Sequence, residues 1–590
     1  MKTFDDYYTE AITYWQNWII EQNVNMRFYL GDQWKSADKK YLNEQHRAAL
    51  VFNKIRRVVH MLSGYQKKNR LALTVQANND AVAPIANDMS AVLMFIMSNG
   101  GYEVMSAAFS GMLKTGLDFV YPYVDYADDP VSGDIKLKRI PYNAILIDPF
   151  TTQKDLSDCS YMMSRRYVSK EIAKILLPSA EKEIDAMPPQ KGDGKFSQLA
   201  QRNKSAGYYI DELYRSQIIS RKIIVNMQTG EYHDWDGKEK AGTVSADKMY
   251  KIVTLPKRII KKTTYVNGRE MLEENVGNRY PYIPVWGFFD PEYDVMSLKL
   301  QGIIQSMRDP QTEINKRRSK MLDIIDNQIS SGWIVGEDAL VNPKAPYRTG
   351  SNQVIAVKRG HSIQEVQRLP QTDIPSGLFQ LNQLFEQDIM EIPGVNTEMF
   401  GQPSKDYLQE ASLLAKMRQS SGLTLFQDLF DNYRLAKKML GEVLIDKVIS
   451  NYTPDKVSEI IGHPPAQEFY DKNFMKYKVQ PEEGVLTDSQ REMYYSQLLA
   501  LKQLGAPISW DTIIAASPIQ GQQAIKEAMA KDAQAQAQAA AKEDEQRQAM
   551  NKLLQSKTIS NIAASEEKRA KAQVETENAK IKQMQLLTQK

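Results

Sequence analysis

"MRDPQTEINKRRSKMLDIIDNQISSGW", residues 307–333, reads as a helix carrying a proline and a basic clump. Asp309 is a good N-cap and Pro310 suits a first helical position, so "RDPQ" is expected to restart or kink the helix there. Beyond it Ile314, Met321, Ile324, Ile325 and Ile329 share an apolar stripe, while Lys316, Arg317 and Lys320 fall mainly on another face. Such a face either grips DNA or simply meets water. Extending outward, the pattern predicts one long helix over 296–330 and a short β-rich insert over 331–372 ("SGWIVGEDAL", "NQVIAVKRG", "IQEVQRL"). A second long helix follows over 373–392. Two helices with a compact β insert at one end make a projecting helical hairpin with a cap.

The flanks are mixed. Helical spacing of Tyr7, Ile12, Trp15, Ile19 and Phe28 ends at Gly31, a helix stop. A second helix is expected through "AALVFNKIRRVVHMLSGYQKKNR" (48–70), then an alternating strand in "LALTVQANND". The apolar stretch 86–116 is broken by Gly100-Gly101 and reads as two packed helices; a β-hairpin follows over 116–150. Residues 168–207 read as a short helix and a polar loop, and Tyr208–Trp286 as a small antiparallel sheet. His233, Asp234 and Asp236 sit at a Gly-bearing turn, where a hairpin is the plainer reading than a metal or acid/base site. A very long helix is expected from about Leu408 to Asn451, interrupted at Gly422 and Gly441, then helical pieces over 482–530. The Ala/Gln/Lys/Glu-rich tail beyond Ile525 suits a long exposed helix that needs partners, or a largely disordered one.

Composition narrows the chemistry. The 590 residues suffice for several domains, and 42% hydrophobic with 25% charged residues is ordinary for a folded soluble chain. A net charge of +3 creates no overall basic field for nucleic acid, so any DNA contact is local or sliding. The lone Cys159 rules out an intrachain disulfide, and with five scattered histidines no metal-ligand spacing arises. No run of about 18 apolar residues occurs, and "MKTFDDYYTEAITYW" lacks the order of a secretory signal. A soluble intracellular protein with no membrane contact is expected. No phosphate loop, no dinucleotide glycine fingerprint and no G-x-S-x-G elbow appears. The chain is read as a non-enzyme without cofactors.

Several pieces, in order, resemble a known family: "MRFYLGDQW", "FNKIRRVVHMLSGYQKKNR", "RIPYNAILIDP", "RDPQTEINKRRSKML" and "IPGVNTEMFGQPS". "KYKVQPEEGVLTDSQREMYYSQLLALKQLG" and "ISWDTIIAASPIQGQQAIKEAM" complete the series. Across roughly residues 20–530 the chain is similar to bacteriophage portal proteins, the head-to-tail connectors, and especially to those of short-tailed phages of the P22 type. The resemblance implies an α+β, mainly helical portal-type fold. Its parts would be a wing (1–295), stem helix 1 (296–330), a β-rich clip (331–372) and stem helix 2 (373–395). A tunnel loop with the long wing helix (396–475), a helical crown (476–530) and a C-terminal helical barrel or flexible tail (531–590) complete it.

It implies a homo-oligomeric ring, usually a dodecamer, at one capsid vertex of the virion, assembled in the host bacterial cytoplasm. Double-stranded phage DNA would slide through it without sequence preference during DNA packaging and ejection. The partners would be the terminase large subunit, head-tail adaptor or tail proteins, and the major capsid and scaffolding proteins. Lys405 lies in the segment matching the tunnel loop, and Glu386, Asp388 and Glu391 of stem helix 2 would repel phosphate if they line the channel. In the clip, Trp333, Tyr347, Arg348, Lys358 and Arg359 are candidate docking anchors. Two other readings stand beside this one. A coiled-coil virion scaffold or adaptor without a DNA channel rests on the tail, and a nucleic-acid enzyme would need a carboxylate cluster or phosphate loop that the sequence does not show.

Overall fold

The computed structural model describes residues 3–68, 73–77, 83–191, 207–227, 232–235, 250–329, 333–347, 354–368, 376–394, 424–470, 477–481, 488–506, 508–510, 513–514 and 522–587. The chain divides into Met1–Val485 and Leu486–Lys590. The fold is α+β and mainly helical.

In the first unit, α1 (Phe4–Leu30) starts at a Thr3 capping box and ends at Gly31, whose φ of 99° is the left-handed conformation a helix stop needs. α2 (Ser36–Glu44) and α3 (Ile55–Lys68) follow, then β1 (Leu73–Ala77). α4 (Ala83–Ile96) and α5 (Tyr102–Thr115) are the expected helix pair, parted where Gly100 takes φ +92°. β2 (Leu117–Asp125) and β3 (Asp134–Ile140) form the expected hairpin in register Asp125↔Asp134.

The larger sheet contains β4 (Ile145–Ile147), β5 (Tyr161–Val168), β6 (Tyr208–Asn226), β7 (Tyr232–Asp234), β8 (Tyr250–Val266) and β9 (Arg269–Gly277). The six strands run β4-β5-β6-β8-β9, with β7 on β6. His233 and Asp234 are hairpin residues of β7; Asp236 lies outside the described residues. Between β5 and β6 the short helices α6 (Lys170–Leu176) and α7 (Glu181–Ala186) precede Gln190, and the polar loop beyond lies outside the described residues.

β10 (Ile283–Trp286) pairs with β2, and β11 (Phe288–Phe289) with β12 (Leu300–Gln301) across the one-turn α8 (Met296–Lys299). α9 (Ile303–Ile329), β13 (Trp333–Val335), β14 (Val366–Arg368) and α10 (Ser376–Glu391) are the predicted helix, insert and helix. α11 (Gln427–Asn451), α12 (Pro454–Ile461) and β15 (Tyr477–Pro481) close the unit, β15 pairing with β1.

Two cores hold these elements. One buries faces of α3, α4, α5 and α11 with Ile303, Ile304, Met307 and Ile314 of α9. The other gathers Trp15 and Trp18 of α1 against β2, β4, β5 and β10. The second unit contains α13 (Asp488–Gln503) and α14 (Gln522–Leu587), a single helix of 66 residues.

The structure corrects four expectations. Residues 48–54 are extended, because their backbone N–H groups are taken by side chains of α9 rather than by helix carbonyls. α9 begins at Ile303, after the two-residue strand β12, and runs through Pro310. Asp309-Pro310 is therefore no restart; the buried proline costs one helical hydrogen bond and the packing around it holds the helix. α11 passes through Gly441 unbroken, the glycine buried in the helix–core contact, while Gly422 and the segment 408–423 lie outside the described residues. The insert between β13 and β14 is less β-rich than expected: beyond that strand pair it shows the bridge Leu340↔Val357.

Candidate functional site

The root of the α9/α10 hairpin is a crossing of three backbones. Gly116 ends α5 at φ +82°, Gly287 separates β10 from β11, and Gly302 precedes α9. Gly287 donates its N–H to the Gly116 carbonyl at 2.6 Å. A Cβ on Gly302 would lie 2.8 Å from both the Gly116 nitrogen and the Leu113 oxygen, so only glycine lets the chain enter α9 along this path. Trp18 Nε1 donates to the Leu300 carbonyl, and the buried Lys299 ammonium donates to the Pro149 and Thr151 carbonyls. Burial lowers the pKa of that lysine. These bonds tie the root to α1 and to the loop before β5.

Along α9, one polar residue per turn faces inward: Gln311, Asn315, Ser319 and Asp323. Together they hold the extended segment 47–54 as a neighbouring strand would. Lys54 N–H donates to Gln311 Oε1, Phe52 N–H to Asn315 Oδ1 and Leu50 N–H to Ser319 Oγ, at 2.9, 2.9 and 3.2 Å. Gln311 Nε2 returns a bond to the Phe52 carbonyl, and the Arg47 guanidinium pairs with Asp323. Gln311 and Asn315 are buried, so their amide groups need these partners. Sequence reasoning missed this ladder; its visible signal is short polar residues at four-residue spacing on the face that continues the apolar stripe.

The ladder also turns the basic clump. Arg318 lies over the Phe52 ring and pairs with Glu386 of α10, which also reaches Lys54 at 3.6 Å. Partial burial raises the Glu386 pKa, but Arg318, Asn382 and Lys54 outweigh it and keep the carboxylate below its ordinary range. Lys316 and Arg317 both reach back to Glu313, at 3.2 and 3.1 Å. Lys320 is exposed and has no ion pair among the described residues, and Asp309 is exposed about three turns earlier on the same stripe. On α10, Asp388 is half-buried and Glu391 exposed, on an outward side shared with exposed Leu381 and Leu384.

In the insert, Trp333 is half-buried in β13, opposite Arg368 of β14. Tyr347 ends the short turn Ala345–Tyr347. Lys358 is exposed, 3.6 Å from Asp338, and Arg359 is exposed beside it. Arg348 and Lys405 lie outside the described residues. The structure thus joins Glu386 to the clump but brings no set of these residues into a reactive constellation.

The most concentrated buried ionic network lies elsewhere, at Glu212 of β6. Its carboxylate accepts from Tyr282 Oη, Ser164 Oγ and Tyr214 Oη at 2.8, 2.9 and 3.1 Å and pairs with Arg166 and Lys262. Burial pushes its pKa up, but the two cations and the hydroxyls prevail and bring it down to about 2. The network is closed by its own partners and ties β5, β6 and β8 to Tyr282. Among the described residues no group of three His, Cys, Asp or Glu is arranged to hold a metal ion. No helix among them is long and apolar enough to cross a membrane.

Comparison with known proteins settles the class. The family model described as "Phage P22-like portal protein" matches residues 5–584. The chain therefore belongs to the P22-like phage portal family, the head-to-tail connectors of phage particles. No curated protein matches it. Among solved structures it is similar to the neck of an empty gene transfer agent (GTA) particle computed with C6 symmetry. That match has 10% identity and a TM-score of 0.33, over 80% of this chain and 92% of the other. It is also similar to a chain of the native GTA virion, with 10% identity and a TM-score of 0.31, over 77% and 87%.

Proposed function

We propose that this chain forms a closed ring, a dodecamer on the family pattern, at one capsid vertex, and that phage DNA passes through the ring during packaging and ejection. The observation that carries this reading is the helix pair α9/α10. It rises from a glycine-locked root and is bridged by the Arg318–Glu386 pair, and β13 and β14 close the ends of an insert beyond it. These elements correspond to the stem and the clip.

A conduit must not hold DNA, since every phosphate neutralised by Lys or Arg adds affinity. Three of the four cations in the basic clump are engaged by Glu313 or Glu386, and Lys320 is the one with no ion pair among the described residues. Asp388 and Glu391 are the lumen candidates, and Lys405 is the tunnel-loop candidate. Glu386, bound to two cations, acts as a clasp between the helices. The insert, with Trp333, Tyr347, Arg348, Lys358 and Arg359, is the docking platform for the terminase large subunit and for head-tail adaptor proteins. The ring is not an enzyme, and the terminase supplies the energy.

α14 supports self-association. From Ile559 its apolar and small residues recur every eleven positions (Ile559, Ala570, Ile581; Ala563, Val574), a period that favours a right-handed supercoil of several helices. The same helix is the feature that favours a coiled-coil scaffold instead. The mass of the native particle tests the proposal: about 0.8 MDa for twelve chains of 67.3 kDa. A chain that stays monomeric or dimeric at high concentration contradicts it. Ending the chain at residue 521 separates the two readings, since rings persist if the first unit forms them and vanish if the coiled coil does.

A further inference from the structure

The ring reading leaves open which surfaces meet, and two patches on the first unit answer each other in charge. β6 and β8 outrun their neighbours: β5 stops pairing at Arg215, β9 at Ile260 and β7 at Ile223, so residues 217–221 and 255–259 are strand partners only of each other. Over 213–226 and 250–262 the two strands carry eight Lys or Arg and no Asp or Glu. Near the sheet these cations are engaged: Arg215 and Lys261 by Glu273, Lys262 by Glu212 and Glu274, Arg258 by the carbonyls of Leu156, Ser157 and Cys159. Farther out, Lys251 and Lys257 are exposed and pair with no acid among the described residues. Ile219 faces Lys257 across the strands with Leu255 on its diagonal, both exposed, and Ile218 on the other face is 77% exposed. A two-stranded ribbon with aliphatic residues bare on both faces is marginal by itself and marks a docking surface.

The second patch is the segment 290–298, a loop after β11 that runs into α8. Asp290, Glu292 and Asp294 are exposed, with no Lys or Arg between Arg279 and Lys299. Tyr293, Val295 and Leu298 are exposed among them. The Lys299 ammonium is turned inward onto the Pro149 and Thr151 carbonyls, so it leaves the loop acidic outside. Among the described residues no ion pair joins the two patches within one chain. A basic aliphatic patch and an acidic aromatic patch at different places on one chain are the two halves of a head-to-tail interface, the kind that closes into a ring.

We propose that the β6/β8 ribbon of one copy docks on the 290–298 loop of the next, with Lys251 and Lys257 facing Asp290, Glu292 and Asp294. This rests on the ring reading and names its contact. The test uses two full-length variants, K251E/K257E and D290K/E292K/D294K, assayed for assembly by native mass at about physiological salt. Circular dichroism and thermal melting confirm that each is folded. Alone, each variant opposes like charges across every interface and assembles only at tenfold or higher concentration than the unaltered chain. Mixed in equal amounts they restore rings, because alternating copies place opposite charges at every contact. The proposal is overturned if either variant alone assembles like the unaltered chain, or if the mixture of folded variants fails to recover. It is equally overturned if K251E/K257E loses only the binding of a short DNA duplex, measured by fluorescence anisotropy, with its rings intact. Failure of the unaltered chain to form rings would instead refute the reading beneath.

Discussion

At the scale of single residues the account turns on buried polar groups that have found partners. Asn315 is the middle rung of the ladder, and its loss leaves the Phe52 N–H without an acceptor. Asn315→Ala is expected to cost about 1–3 kcal/mol and to speed hydrogen exchange at residues 50–54 while α1 stays protected. Unchanged exchange there would remove the ladder's role. Two buried carboxylates give pH slopes of opposite sign. Glu212, held down to about 2, stabilises the fold above its ordinary value near 4.5, and that contribution is lost as pH falls toward 2. Glu212→Gln should therefore lower the melting temperature at pH 7 and flatten the acid limb of the melting curve. Asp118 sits against Arg139 at 2.6 Å, but burial outweighs that cation and pushes its pKa up to about 7. Its contribution is complete below its ordinary value near 3.8 and fades as pH rises through 7, so Asp118→Asn should lose less stability than the parent between pH 5 and 8. Melting temperatures followed from about pH 2 to pH 8 check both signs.

At the scale of elements, the glycine crossing fixes where α9 leaves the body. Gly302→Ala puts a methyl into backbone that cannot retreat, and a cost of about 1–3 kcal/mol is expected, read as a lower denaturation midpoint. A neutral outcome would mean that the three strands of backbone part easily. Much at this scale was legible in the sequence: the helix stop at Gly31, the break at Gly100, the 116–150 hairpin and the helix–insert–helix order all rest on local turn chemistry and periodicity. What was not legible is non-local. Residues 48–54 have a helix-compatible pattern, yet Gln311, Asn315 and Ser319, more than 250 positions away, take their N–H groups. The apolar stripe of α9 was half right for the same reason: Ile314 is buried, but Ile325 is exposed and the inward face continues through amides. Arg318, in the middle of the basic clump, turned inward to α10, and no pattern within its own helix could announce Glu386 as its partner.

At the scale of the whole molecule, the near-neutral net charge conceals local segregation: an acid-free basic ribbon, an acidic loop, and a helix α9 whose clumped cations are mostly paired. That distribution suits a body that binds copies of itself firmly and DNA weakly. The family, and with it the α+β, mainly helical fold, was legible from the order of several loose motifs; the ribbon and the loop were not, because only the folded chain shows which charges remain unpaired. The most direct test of the central claim is a set of class-averaged electron micrographs of the purified full-length chain. The account predicts closed rings, seen end-on with a central opening that admits duplex DNA and is lined by α9 and α10. Compact particles without an opening, or single chains and pairs at high concentration, would contradict it.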